Sequence, residues 1–379
     1  YLNMSVVIKP VNSKKDFSSF ARFGNKLYKE SSFYVPSMPA DDIVTFDRNK
    51  NAAFEFCEAE YFLAYKGNEI VGRVAAIVNY KANKAWNVEQ VRFGWFDFID
   101  DIEVSSALLD AVVAFGKARG MKQIVGPLGF TDLDSEGMLV EGFDRLGTMA
   151  TIYNYPYYPE HMNRLGFVKD ADWVEYLLKV PNERWAKAER ISAIVERKFG
   201  LRVVHCSSRS ELAKRYGSKL FELVNECYAP LYGFTPLTRK QIDQFIKMYL
   251  PVIDLRLISL VVDADDNLVA LGVSIYSLAD ALRRAKGKLF PFGWWYLLKA
   301  LFIKHPKRLD FLLVAVKPEY QSKGAFAMVF NDLLGNYLQM DLVDVESNPE
   351  LETNTKVQSQ WNDFEKEQHK RRRAYKKEI

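Results

Sequence analysis

Hydrophobic positions in this chain fall into short stretches bounded by turn residues. Tyr61–Tyr65 and Glu69–Asn79 read as two strands joined by the turn Lys66-Gly67-Asn68, and Phe93–Ile99 as a third. Leu108, Leu109, Val112, Val113 and Phe115 recur at helical spacing and predict a helix over Ser105–Arg119. A short strand over Gln123–Gly126 stops at Pro127. A helix over Pro159–Leu165, a turn at Gly166-Phe167 and a strand over Trp173–Val180 complete the first half.

The second half repeats that order. Leu201–His205 reads as a strand, Glu211–Tyr228 and Arg239–Tyr249 as helices, and Leu257–Asp263 with Leu268–Ser277 as a hairpin across Ala264–Asn267. A strand over Phe311–Val316, a helix over Ala325–Met340, a strand over Leu342–Glu346 and a helix over Glu350–Phe364 follow. The pattern predicts an α/β (α+β) chain of two tandem domains, with mixed, mostly antiparallel sheets flanked by helices. The expected division is a first domain over 1–181, a helical linker over 182–200 and a second domain over 201–379, which carries an insertion at 278–310 that the first lacks.

The most informative segment runs from the strand end at Val316 through Pro318, Glu319, Tyr320, Gln321, Ser322, Lys323 and Gly324 into Ala325 and Phe326. A strand that turns through a glycine directly into a helix leaves first-turn amides aimed at one point, which suits a diphosphate. Gly324 permits close approach of the backbone, and Lys323 adds positive charge. These residues resemble the coenzyme A loop of the GNAT acyltransferase superfamily, Gln/Arg-x-x-Gly-x-Gly/Ala after a strand ending V-x-P-x-x-[RQ]. Val316, Pro318, Gln321 and Gly324 are in register with it, whereas Phe326 stands where that family has Gly or Ala. The first half follows the same layout, including Val71-Gly72-Arg73 at the turn into its third strand. Its matching turn, however, carries Asp97, Asp100, Asp101 and Glu103, the wrong sign for a diphosphate.

The runs Gly126–Asp132, Glu136–Phe143 and Tyr153–Tyr158, with Arg371–Arg373 and Tyr375 in the tail, resemble the bacterial ceramide synthase-like family over essentially the whole chain. That resemblance implies tandem GNAT-like halves, a degenerate cofactor loop in the first, and transfer of an acyl group from acyl-CoA or acetyl-CoA to an amine, a long-chain amine in the characterised type. No metal is implied. Cofactor-binding candidates are then Val316, Gln321, Ser322, Lys323, Gly324, Ala325 and Asn354.

Acylating an amine requires a base, because an alkylammonium has a pKa near ~10, and donors for the tetrahedral oxyanion. Glu346 is the favoured base and Asn348 the favoured donor, at the strand end that lies beside the acyl group in GNAT-like folds; Tyr320 completes the catalytic set. Glu350 and Glu352 are read instead as favourable charges at a helix N-terminus. Candidate substrate contacts are the carboxylates Asp132, Asp134 and Glu136, which suit a cationic amine, and the aromatic Tyr155 and Tyr157. Trp294 and Trp295 join them, within a stretch from Arg283 to Arg308 that is basic, aromatic and free of acidic residues. Such a stretch suits peripheral contact with a membrane over 283–308.

Composition narrows the field. Three cysteines without a CxxC pair disfavour a disulfide scaffold, and four dispersed histidines disfavour a zinc site. A net charge of +4 over 379 residues does not point to nucleic acid. The first ten residues show no leader pattern, so a cytoplasmic location, with contact at the inner membrane face, is expected. Lipid metabolism is the expected setting. Two alternatives stand beside the acyltransferase. One is a lipid- or partner-binding protein on a degenerate GNAT fold. The other is a Fem-like aminoacyl-tRNA-dependent transferase, which shares the tandem layout.

Overall fold

The computed structural model describes residues 5–379; Tyr1–Met4, part of the segment read for a leader, lie outside the described residues. The first half comprises β1 (Val6–Pro10), the helix Lys14–Leu27, β2 (Cys57–Lys66), β3 (Glu69–Asn79), β4 (Gln90–Phe98), the helix Ile102–Lys117, β5 (Gln123–Gly126), β6 (Met138–Glu141), the helix Tyr157–Arg164 and β7 (Val168–Lys179). After the helix Ala186–Phe199 come β8 (Arg202–Val204), the helices Ser218–Tyr228 and Arg239–Tyr249, β9 (Ile258–Val262) and β10 (Leu268–Tyr276). The short helices Ala279–Ala285 and Gly293–Leu298 precede β11 (Arg308–Val316) and the helix Ala325–Gln339. The chain ends with β12 (Asp344–Glu346), β13 (Glu350–Leu351), the helix Thr355–Ser359 and β14 (Lys366–Glu378).

Two compact units interleave along this sequence. One takes the chain up to Val174, then Leu278–Leu298 and His369–Ile379; the other takes Glu175–Ser277 and Lys299–Gln368. The first unit's strands run β1-β2-β3-β4-β5-β14, with β6 also on β14. The second unit's run β8-β9-β10-β11-β12-β7. In each unit one inner pair is parallel, β4–β5 and β11–β12, and the other pairs whose register is resolved are antiparallel. Each unit is closed by a strand from beyond its own half of the sequence. The end of β14 pairs with β5, Tyr375 opposite Gly126, and the end of β7 pairs with β12, Leu177 opposite Glu346.

Local sequence accounts for the helices that cover these sheets. Asp101 caps the helix Ile102–Lys117 by accepting from the Glu103 amide, and Val104, Leu108, Leu109, Val112 and Phe115 are buried along one face. Each such side chain contributes roughly 2 kcal/mol when buried. Gly72 lets this helix approach β3, since a Cβ there would lie 2.7 Å from Leu108 Cδ1. Gly72 and Arg73 therefore sit within β3, not at a turn into the third strand. The helix expected over Glu350–Phe364 is replaced by β13 and a single helical turn, Thr355–Ser359. The first part of the insertion counts with the first unit, where buried Gly287 (φ 67) packs on Asn25 and the Ser37 carbonyl.

Candidate active site

The second unit is opened where β11 and β12 part. They pair over three residues only, Arg308 with Asp344, Leu309 with Val345 and Asp310 with Glu346. β11 continues to Val316 after β12 has ended, so one edge is left open from Phe311 onward. On its other edge the register with β10 slips between Val273 and Ser274, leaving Leu312 as the extra residue of a bulge. Leu312, Leu313 and Val314 are half-buried between buried neighbours on either side. Three backbone oxygens along this strand receive side-chain donors. Asn348 Nδ2 donates to Leu312 O at 2.8 Å, the Tyr228 hydroxyl to Val314 O at 3.0 Å and Gln321 Nε2 to Val316 O at 3.1 Å.

The strand leads into the glycine loop. A short turn of helix over Pro318–Gln321 is followed by Gly324 at φ 86, which serves as N-cap of the helix Ala325–Gln339 with no side-chain cap. Ala327 N donates to Gly324 O at 3.0 Å, which leaves the Ala325 and Phe326 amides as the first-turn donors with no helical carbonyl to pair with. Gln321, Ser322 and Lys323 are exposed, and the Lys323 ammonium lies 4.8 Å over the Tyr320 ring and 5.2 Å over that of Phe199. Ile191 and Val195, on the helix Ala186–Phe199, stand 3.0 Å from where a Gly324 Cβ would be. Backbone conformation and close packing both require glycine at this position. Phe326 does not enter the loop. Its ring turns inward against Phe330 (4.7 Å) and Trp361 (6.0 Å), in an aromatic cluster that includes Phe311 and Phe364.

Trp361 links that cluster to a carboxylate. Its indole Nε1 donates to Glu350 Oε1 at 2.5 Å, while Oε2 is buried with no hydrogen-bond partner. Burial pushes the Glu350 carboxyl up to about 7, with the Trp361 hydrogen bond and the Lys366 charge pulling the other way. Desolvation raises the half-buried Tyr228 phenol, and the negative charge of Glu350 adds to it. Glu346 is buried on β12, in register between Asp310 and Leu177. Asn354 caps the turn Thr355–Ser359 by accepting from the Val357 amide at 3.4 Å. The structure thus brings Asn348, Glu350, Tyr228, Gln321 and Gly324 to one strand and the turns at its ends. Sequence reasoning missed Glu350 as a titrating group. Pro349 before it suits a helical first turn as well as an extended chain, and Trp361 lies eleven positions away.

The remaining candidates belong to the first unit. Asp134 accepts from the Thr131 amide at 3.0 Å, and burial raises its carboxyl. Burial, with Asp132 beside it, raises the Glu136 carboxyl further. Tyr155 and Tyr157 pack at the edge of the unit's main core, their hydroxyls donating to Leu27 O at 3.4 Å and Phe98 O at 2.6 Å. Trp294 and Trp295 are exposed on the short helix of the insertion. The acidic turn that matches the glycine loop is satisfied internally. Asp97 is buried against Arg73 at 2.7 Å and accepts from the Tyr28 hydroxyl, Lys66 pairs with Asp101, and Asp100 lies 2.9 Å from His161 Nε2. Among the described residues, no group of three or more His, Cys, Asp or Glu is placed to hold a metal ion.

A meander, a bulged strand parting from its parallel neighbour, and a glycine loop opening a helix define the GNAT fold, here in tandem. The chain superposes on a tandem GNAT protein from the clavulanic acid biosynthesis pathway with a TM-score of 0.56 at 10% identity, covering 99% of this chain and 98% of that one. A GCN5-related N-acetyltransferase from Sphaerobacter thermophilus matches with a TM-score of 0.53 at 10% identity, over 98% and 95% of the two chains. In sequence the chain is similar to Protein YghO of Escherichia coli (strain K12), 26% identical over 387 residues, 98% of this chain and 95% of that protein. It is also similar to the bacterial ceramide synthase of Caulobacter vibrioides (strain NA1000 / CB15N), 25% identical over 330 residues, 84% of this chain and 83% of that protein. No protein-family model matches the sequence. The fold and the likeness read from the glycine loop and the aromatic runs are both borne out.

Proposed function

We propose that this chain transfers an acyl group from a coenzyme A thioester to an amine, and that the amine is of the long-chain, lipid type. The GNAT fold supports acyl transfer. The likeness to a protein named bacterial ceramide synthase supports a lipid amine. One observation carries the mechanism: Glu350, buried, singly hydrogen-bonded and held near neutrality, at the open end of β11. A carboxylate in that condition is matched to taking a proton at physiological pH, and a buried site makes an ammonium acidic enough to give one.

In this reading Gln321–Ala325 hold the diphosphate, with first-turn amides supplying donors and Lys323 charge, while Val316 and Asn354 flank the cofactor. The thioester lies along the open edge of β11. The ammonium passes a proton to the Glu350 carboxylate, and the neutral nitrogen attacks the thioester carbonyl. The oxyanion takes a hydrogen bond from the second N–H of Asn348 Nδ2, whose first holds Leu312 O. Collapse breaks the C–S bond, the thiolate leaves and takes up, through water, the second proton that the nitrogen sheds as it becomes an amide, and Glu350 returns its own proton to solvent. Glu346, on the paired part of β12, is assigned to shaping the floor of the site rather than to proton transfer, and Tyr320 to carrying Lys323. A bilayer-borne amine would be met at the membrane surface, and the basic aromatic stretch over 283–308 is suited to that contact.

The test is the melting temperature with CoA, acetyl-CoA and palmitoyl-CoA, followed by release of free CoA thiol in the presence of sphinganine or a short alkylamine. Stabilisation by CoA and turnover with the long-chain amine are expected. No stabilisation by any of the three, and no thiol release, would overturn the proposal.

A further inference from the structure

Within the first unit, the segment from Arg283 to Leu298 is held by its own backbone contacts and leaves most of its large apolar side chains exposed. Ala279, Ala281, Leu282 and Ala285 anchor the helix that leads into it, and Gly287 is clamped against Asn25 and the Ser37 carbonyl. The backbone then folds on itself. Lys288 N donates to Ala285 O at 3.0 Å, Trp294 N to Leu289 O at 2.9 Å and Trp295 N to Phe292 O at 3.1 Å. Gly293 is buried so tightly that a Cβ would collide with the Lys288 carbonyl. Even the Trp294 indole is tied down, donating to Pro291 O at 3.0 Å. With its polar backbone satisfied internally, the segment leaves Phe290 79% and Phe292 67% exposed, and Leu289, Trp294, Trp295 and Leu298 each more than a third exposed. Six large apolar groups on sixteen residues form a patch, unlike the scattered exposed residues of an ordinary surface.

Charge decides what covers it. Arg284, Lys286 and Lys288 are exposed at the start of the segment, with Arg283 half-buried beside them, and no acidic residue occurs between Asp280 and Asp310. Among the described residues, none of these four cations has an ion-pair partner. A second copy of the chain would bring two such cationic rims together, which is repulsive. A surface that is apolar inside and anionic at its face meets both features, and tryptophan is suited to that boundary.

We propose that residues 283–298 dock the protein on an anionic lipid bilayer, the ring of Phe290 and its neighbours entering the acyl boundary while Arg283, Arg284, Lys286 and Lys288 rest on the headgroups. This docking is independent of catalysis and stands whether or not the chain transfers acyl groups.

The full chain is sedimented with vesicles of phosphatidylcholine alone and of phosphatidylcholine mixed with phosphatidylglycerol, at low and high salt. Binding to the anionic vesicles, weakened by salt and accompanied by quenching of tryptophan fluorescence by brominated lipid, is expected. Phe290→Ser with Phe292→Ser, and separately Arg284→Glu with Lys286→Glu and Lys288→Glu, lower the partition coefficient by about tenfold or more, because each buried apolar group and each surface cation contributes independently. All five positions are exposed, so an unchanged melting temperature and an unchanged response to CoA show that the fold and the transferase site are intact. Absence of binding to anionic vesicles overturns the proposal, as does binding that both variants retain. A concentration-dependent dimer abolished by Phe290→Ser with Phe292→Ser also overturns it, in favour of a self-association face.

Discussion

The indole of Trp361 and the carboxylate of Glu350 meet at 2.5 Å, and the same indole packs edge-to-face on Phe311 of β11 and on Phe326 of the glycine loop. A single aromatic residue therefore joins the turn assigned to the cofactor to the group assigned to the proton. Phe326, which departs from the GNAT loop pattern, fills this junction and leaves the loop itself clear.

Glu350→Gln is expected to abolish most amine acylation while CoA still raises the melting temperature. In the parent protein kcat/KM should rise with pH through about 7 as Glu350 ionises. A residual rate in the variant that keeps the same pH limb would assign the base elsewhere.

The same carboxyl makes a prediction about stability. Its folded value, about 7, lies above the ordinary 4.5, so the folded state prefers the protonated form. The group costs nothing below the unfolded value, and its penalty grows as pH rises from there to about 7, reaching at most about 3 kcal/mol. Glu350→Gln should thus be more stable than the parent at pH 8 and nearly equal to it at pH 4. Denaturant unfolding at both pH values measures the difference.

Ser322→Glu and Lys323→Glu place negative charge at exposed, unstrained positions of the glycine loop. Each should weaken CoA binding by about tenfold or more without altering the melting temperature of the free protein. Calorimetric titration with CoA checks this. Gly324→Ala is a poorer probe, because φ 86 and the contact with Ile191 and Val195 would destabilise the fold as well.

Phe326→Ala removes a half-buried ring from the cluster around Trp361 and should cost about 2 kcal/mol in stability. If the ring packs inward as described, affinity for CoA stays unchanged. A marked gain in affinity would show instead that the ring obstructs the loop.

Asp97→Ala leaves the Arg73 guanidinium buried without its carboxylate and the Tyr28 hydroxyl without its acceptor. A loss of about 3–5 kcal/mol is expected, read from urea unfolding. The acidic turn of the first half is in this respect structural, with Asp97, Asp101 and Asp100 matched by Arg73, Lys66 and His161.

Much of the fold could be read locally. Alternation in β2, helical spacing from Leu108 to Phe115 and the break at Gly324 depend on neighbours within a few positions, and each lies in the element expected of it, the helix beginning three residues earlier at Ile102. What failed was set by distance along the chain. Glu350–Phe364 has helix-forming composition, but β13 pairs with β7 and holds Glu350 extended. The neutral pKa of Glu350 depends on burial beside Trp361, which no local spacing encodes.

By itself the sequence determined the three-strand meander of each half and the helix that follows it, the glycine at the helix entrance and the concentration of aromatic and basic residues after Leu278, because each follows from backbone preference or composition. Only the tertiary structure decided which glutamate is held near neutrality, which way Phe326 points, and that β14 and β7 close units begun elsewhere in the chain. Those outcomes arise from burial and from pairing between strands far apart in the chain, as for Tyr375 opposite Gly126 and Glu378 opposite Gln123, and desolvation acts through space rather than along the backbone.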